Sequence, residues 1–246
     1  MGQVIAVVSG KGGTGKTAFS TLTGLALAEL GQRTLLLDCD IGLRNLDLTL
    51  GMSDRTVMDF TDVIAGRAAL EDACVQHPTH KSLYLLTSPS NLRGQRVSEG
   101  QMRALTGEIR SAFDCCLIDA SAGIGNAFRL ATSCADRAIV VSNTDATALR
   151  DAQRTVMELS RFPNGKLHLV INRVRPRTLR ALHQSLDDAI DAAGLPLLGV
   201  IPDDETIPLL PNRKGAGLFA RRSPAEDACR NIARRILGER VPLMKI

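Results

Sequence analysis

The sequence predicts an α/β fold, a mostly parallel sheet with helices on both faces. Three observations carry this. Short apolar runs such as Val4 to Val8, Cys115 to Ile118 and Ala138 to Val141 are continuous rather than alternating, the pattern of strands buried on both sides. Segments of helical periodicity separate them, as the crossovers between parallel strands require. The first run leads into Gly10, Lys11, Gly12, Gly13, Thr14, Gly15, Lys16 and Thr17, with Gly10, Gly15, Lys16 and Thr17 in the fixed positions of G-x-x-x-x-G-K-[ST], and a helical pattern, Ala18 to Leu30, follows.

Taken in order, Gly31 stops that helix and Arg33 to Leu37 is a second strand ending in Asp38. Val57 to Ile64 and Leu70 to Ala73 read as short helical pieces, and Leu83 to Leu86 as a strand. Gln101 to Ala112 is a helix with Met102, Leu105 and Ile109 on one face. Cys115 to Ile118 is a strand closed by Asp119, and Phe128 to Cys134 is helical. The strand Ala138 to Val141 precedes a helix, Ala146 to Leu159; the strand Leu167 to Ile171 precedes a helix, Thr178 to Ala193; and Leu197 to Ile201 is the last strand. In the final helix, Ala225 to Leu237, a stripe of Ala228, Cys229, Ile232, Ala233 and Ile236 reads as a face packed on the sheet. No linker, low-complexity segment or repeat divides the 246 residues, so the expectation is one phosphate-loop NTPase domain over 1–246. Ligands of such sheets bind at the carboxyl ends of the strands, where Ser9, Gly10, Asp38, Asp119, Asn143 and Asn172 gather.

Composition removes several classes. Aromatic residues make up 3% of the chain, with no Trp and the single Tyr84, which argues against a base-stacking surface for single-stranded nucleic acid. A formal charge of +4 is compatible with weak attraction to anionic lipid or DNA without demanding either, and no specific nucleic-acid partner is expected. The cysteines at 39, 74, 115, 116, 134 and 229 contain no C-x-x-C pair and no secretory leader precedes them. Reduced thiols in the cytoplasm are therefore expected, and an iron–sulfur or zinc site within one chain is not. No apolar run approaches the length of a membrane span.

The glycine loop states a mechanism. Glycines let successive backbone N–H groups face phosphate oxygens, and the following helix adds the positive end of its dipole. Lys16 then reaches the β and γ phosphates and the Thr17 hydroxyl reaches Mg²⁺, so the expected ligand is a nucleoside triphosphate with its metal. Asp38 and Asp40, two apart at a strand end, can hold metal-bound water or orient the water that attacks the γ phosphate; taken alone they also fit solvated loop charges. Asp119, closing a buried strand, has the form of a Walker-B aspartate, with Gly123 free to turn its amide toward the γ phosphate; alternatively it caps the next helix. Lys11, by itself, reads as an exposed spacer.

Lys11 through Thr17, with Asp38 to Leu48 (DCDIGLRNLDL), closely resembles the MinD branch of the ParA/MinD family of deviant-Walker ATPases. The likeness continues through Asp119 to Ile124 (DASAGI), Leu169 to Pro176 (LVINRVRP), Val200 to Asp203 (VIPD) and Asn231 to Leu243 (NIARRILGERVPL), in the family's order. The resemblance implies ATP with Mg²⁺ and a homodimer formed with ATP, in which Lys11 crosses to the partner's nucleotide. It implies ATP contacts from Gly10 to Thr17 and Ala18, an attacking water placed by Asp40, and a metal shell built from Thr17, Asp38 and Asp119. Asn172, Arg173, Pro202 and Asp203 match the segments around adenine. The Asn172 amide has the donor and acceptor to pair with the base, and alternatively caps a loop. Asn45, Gly123 and Asp151 match the switch and dimer-interface segments.

By the same resemblance the dimer recruits a MinC-like septum inhibitor, a MinE-like topology factor stimulates a slow ATPase, and the role is division-site selection. Two departures bear on this. Ser121 stands where the family usually has proline, which loosens a turn and bears on turnover more than on ATP binding. The sequence also ends at Lys245 and Ile246, soon after Val241, Pro242 and Leu243, where relatives continue into a basic amphipathic helix. The expectation is a cytoplasmic protein whose peripheral attachment to an anionic membrane requires such a tail. A flagellar-number regulator of the same branch and a ParA-type DNA-partitioning ATPase are the alternatives; GLRNLDL and the modest charge argue against the latter. An iron–sulfur scaffold of the same fold is disfavoured because no cysteine falls in DASAGI.

Overall fold

The structure, a computed structural model, describes residues 1–41, 44–90, 96–163, 165–177, 186–208 and 223–244. Its strands are β1 (Gln3–Val8), β2 (Thr34–Cys39), β3 (Val75–Gln76), β4 (Leu83–Leu86), β5 (Cys115–Ala120), β6 (Arg137–Ser142), β7 (Leu167–Val174) and β8 (Leu197–Pro202). The helices are α1 (Lys16–Glu29), α2 (Asn45–Thr49), α3 (Phe60–Ile64), α4 (Leu70–Ala73), α5 (Glu99–Ala112), α6 (Asn126–Ser133), α7 (Ala146–Glu158), α8 (Leu186–Ala193) and α9 (Pro224–Ile236). The strands form one sheet in the order β3-β4-β2-β5-β1-β6-β7-β8. Among the described residues its ladders are parallel except the short β3–β4 pairing at one edge.

Strand alternation divides the apolar residues between two cores. Val4, Ala6 and Val8 of β1, with Leu35 and Leu37 of β2, face a core closed by α3 to α8; Ile5, Val7 and Leu36 face the opposite core, closed by α1, α2 and α9. The stripe expected on the last helix is buried there: Ala228, Cys229, Ile232, Ala233 and Ile236 pack against the sheet beside α1. Helices thus cover both faces, as continuous apolar strands require.

Two boundaries differ from the sequence reading for local reasons. Helix α3 begins at Phe60 rather than Val57, because extended Asp59 caps it: its carboxylate accepts the Thr61 N–H at 2.8 Å and its own N–H donates to Asp62 at 3.0 Å. Strand β7 continues past Ile171 to Val174 and carries Asn172 and Arg173 with it. The five-residue α2 and two-residue β3 are too short to show a period. Of the helix expected from Thr178 to Ala193, Leu186–Ala193 is present as α8, and 178–185 lie outside the described residues.

The order places β1 between β5 and β6, whereas β2 lies beyond β5. The chain therefore leaves β1 in one direction and later returns to its other side. The loop after β1 opens at that reversal, the position where open parallel sheets bind ligands.

Candidate functional site

The loop from Ser9 to Gly15 joins the carboxyl end of β1 to α1. Helix α1 starts at Lys16 with Gly15 as its N-cap at φ 85°, a left-handed value open to glycine, and no side chain caps its first N–H groups. Those donors and the helix dipole suit an anion. Gly10 is fixed by packing: an ideal Cβ there would lie 2.3 Å from the Asp151 carbonyl oxygen on α7.

Asp119, buried inside β5, is the centre of the polar cluster. Its Oδ1 accepts from Lys16 Nζ at 2.8 Å and from Ser20 Oγ at 3.1 Å, and its Oδ2 accepts from Thr17 Oγ1 at 2.7 Å. It does not cap the next helix, whose N-cap is Gly125. Sequence reading missed Ser20, although its spacing of three from Thr17 along α1 was a usable signal. Hydroxyl and carboxylate oxygens converging on a helix N-terminus fit Mg²⁺, a hard ion. Among the described residues no three His, Cys, Asp or Glu side chains form a metal cage. Thr17 and Asp119 would thus supply a minority of ligands, leaving the rest to phosphate and water, the usual arrangement for Mg²⁺ bound with a nucleotide.

Asp38 stands beside Asp119 in register on the neighbouring strand. It is buried, so it is no solvated loop charge, and it accepts the Asp40 N–H at 2.8 Å and the Leu46 N–H at 3.3 Å, which ties α2 to the strand end. Burial pushes its carboxyl up from 3.8 to about 7; the Asp40 and Leu46 amides oppose the rise and the Asp119 charge adds to it. Asp40 is half-exposed; burial raises its pKa, Lys16 lowers it and Asp119 raises it further.

A carboxyl raised on folding contributes stability that is complete below its unfolded pKa and is lost as pH rises through the folded one. Asp38→Asn should therefore gain stability over the wild type, without nucleotide, as pH rises from about 4 to about 7, and the gap should then level off. Thermal melts across that range should separate the two proteins by roughly 5 °C at the upper end. A gap that shrinks with pH would contradict the burial of Asp38 as a charged group.

On the other side of the loop lies a pocket of about 280 Å³. Ala18, Phe19, Leu22, Ile201, Pro202 and Ile207 give it apolar walls, and Asn172, Arg173 and Asp203 stand at its polar rim. Its size and lining suit a flat heterocycle extending from a phosphate bound in the loop. Burial tends to raise the Asp203 pKa, but hydrogen bonds and charge from Arg175 and Arg173, at 2.6 and 3.3 Å, outweigh it and hold the carboxyl low. Asn172 is not a loop cap: it lies in β7, with its Nδ2 donating to the Thr14 carbonyl at 2.8 Å.

The four remaining residues surround the loop. Lys11 is exposed, and its Nζ donates to Thr147 Oγ1 at the start of α7, 2.9 Å away, rather than to a carboxylate of the Lys16 cluster. Gly123, after β5, donates its N–H to the Ser9 carbonyl at 2.8 Å, tying the two loops together. Asp151 lies on α7 with its backbone against Gly10, and Asn45 opens α2 next to the strand end that holds Asp38 and Asp40. Thr147 carried no motif signal in the sequence.

The CobQ/CobB/MinD/ParA nucleotide binding domain matches residues 5–216. The septum site-determining protein MinD of Synechocystis sp. is 38% identical over 248 residues, covering 99% of this chain and 92% of its own. That of Bacillus subtilis is 38% identical over 246 residues, covering 99% and 92%. In structure, the chain is similar to a protein of the MinC:MinD cell division complex of Aquifex aeolicus, with a TM-score of 0.90, 34% identity, and 99% and 98% of the two chains covered. It is also similar to MinD of Pyrococcus horikoshii complexed with Mg-ADP, with a TM-score of 0.80, 28% identity and 96% of each chain covered. The phosphate loop, the Lys16–Asp119 cluster and these full-length likenesses together make the chain a member of the MinD branch of the CobQ/CobB/MinD/ParA family of nucleotide-binding proteins.

Proposed function

We propose that the chain is a MinD-type ATPase that dimerises on binding ATP, acts as a spatial switch in division-site selection, and is reset by hydrolysis. The observation that carries the two-chain reading is the place of Lys11. A lysine in the glycine loop that is exposed and held by α7, while Lys16 and Thr17 serve the loop's own cleft, is free to act across an interface. In the dimer, Lys11 leaves Thr147 and meets the phosphate charge of the partner's nucleotide. Gly10 to Ala18 hold ATP, Lys16 neutralises the β and γ phosphates, and Asp40 orients the attacking water.

Thr17 and Asp119, with Asp38 behind them, would hold Mg²⁺, which would supply positive charge against the phosphates. Asp38 transmits the state of the site, because its carboxylate holds the first turn of α2, where Asn45 lies. Gly123 and Asp151 adjoin the same loop, which supports assigning them to the neighbourhood of a dimer seam. The protein works in the cytoplasm, and at the cytoplasmic face of the membrane wherever a basic tail follows.

The relative in the MinC:MinD complex supports a MinC-like septum inhibitor as partner; a MinE-like factor that stimulates hydrolysis belongs to the same proposal and rests on the sequence resemblance alone. The test is capture of the cognate inhibitor by immobilised protein with Mg²⁺-ATP, with Mg²⁺-ADP, and with no nucleotide. Retention with ATP alone is expected. Equal retention in all three would remove the switch, and ATP-dependent retention of random duplex DNA that fades steeply with salt would favour the partitioning reading instead.

A further inference from the structure

Ser20 is fully buried in α1, a costly place for a hydroxyl unless it is hydrogen-bonded. Its partner is Asp119. Alternation along β5 puts Cys115 and Leu117 into the core closed by α1 and Asp119 on the same face of the sheet, while Thr17 and Ser20, three apart on α1, share the helix face that meets it. Among the described residues three side chains donate to this carboxylate: Lys16 Nζ at 2.8 Å and Ser20 Oγ at 3.1 Å to Oδ1, and Thr17 Oγ1 at 2.7 Å to Oδ2. Held at both oxygens from one helix, the carboxylate cannot turn about its Cβ–Cγ bond without breaking a contact.

The three donors differ in what else claims them. Lys16 carries one positive charge, and phosphates bound in the loop compete with Asp119 for it. The Thr17 hydroxyl is the group offered to a metal held with those phosphates. Ser20 lies further along α1, outside the lining of the base pocket, and has no ligand to serve. We propose that Ser20 is a positioning residue, the standing donor that keeps Asp119 bonded and aimed when Lys16 and Thr17 turn toward the ligand. This rests on the nucleotide-binding reading above. Without the Ser20 hydroxyl, drawing the Lys16 charge to the phosphates leaves a buried carboxylate oxygen short of a donor, a cost confined to the filled site. In the empty site Lys16 still covers that oxygen. The hydroxyl therefore contributes more to ligand binding than to the stability of the nucleotide-free fold.

The test compares the full chain with its Ser20→Ala and Ser20→Cys variants by calorimetric titration of Mg²⁺-ATP and of Mg²⁺-tripolyphosphate, which has no base, and by thermal melts without nucleotide. Ser20→Ala should weaken both ligands alike by about tenfold, while its nucleotide-free melt stays within about 4 °C of the wild type. Ser20→Cys keeps a weak S–H donor at the same point, so its affinities should fall between those of Ser20→Ala and the wild type. Affinities within about threefold of the wild type in Ser20→Ala would overturn the proposal. A tenfold loss joined to a larger fall in the melt would overturn it too, and would make Ser20 a packing residue of α1. Should Ser20→Ala lack a cooperative melt, Ser20→Cys is judged by the same split between affinity and melt. A wild type that binds neither ligand would sink the nucleotide-binding reading itself, a result distinct from these.

Discussion

Lys16→Ala should lose Mg²⁺-ATP affinity by more than about 100-fold, the effect of removing charge-assisted contacts to two phosphates worth about 1.5–3 kcal/mol each. The same substitution removes the partner 2.8 Å from buried Asp119, leaving that carboxylate with the Thr17 and Ser20 hydroxyls. Breaking a buried pair from one side costs about 3 kcal/mol, so the nucleotide-free variant should also melt roughly 8 °C lower. The two effects share one cause, because the same ammonium that pairs with Asp119 is the charge offered to the phosphates. Titration calorimetry and a thermal melt on one preparation check both. ATP binding within tenfold of the wild type would mean that Lys16 is not the phosphate contact.

Asp40→Ala should keep ATP affinity while hydrolysis falls by about 100-fold or more, the cost of losing the group that orients the nucleophile. Asp40 suits this role because it is the half-exposed carboxylate of the strand end. Asp119 is occupied by Lys16, Thr17 and Ser20, and Asp38 by two backbone amides. Its pKa is raised by burial and held in check by Lys16, which keeps it near the charge of the cluster. Single-turnover phosphate release measures the loss. A variant that hydrolyses at the wild-type rate would assign the water to another residue.

The strands were legible because burial on both faces makes them continuously apolar, and the phosphate loop because its glycines and Lys16–Thr17 are required by the chemistry they perform. What stayed hidden is tertiary. Ser20 meets Asp119 only once α1 is set against β5, and Thr147 meets Lys11 only once α7 returns beside the loop. Asn172 sits at a register shift that no periodicity signals, and its bond to the Thr14 carbonyl forms only once β7 lies beside the loop. The Val57 helix start failed because an apolar pair, Val57 and Met58, continues the helical pattern outward past the Asp59 cap; both side chains are exposed.

If this loop is half of a site completed by a second copy of the chain, Lys11 is the group that crosses. The direct measurement is the mass in solution, by sedimentation or light scattering, of Asp40→Ala and of the double variant Lys11→Ala, Asp40→Ala, each with Mg²⁺-ATP and with Mg²⁺-ADP. Asp40→Ala should be a dimer with ATP and a monomer with ADP, and the double variant a monomer in both while it still binds ATP. A double variant that dimerises with ATP as readily as Asp40→Ala, or an Asp40→Ala that stays monomeric with ATP bound, would contradict the two-chain site.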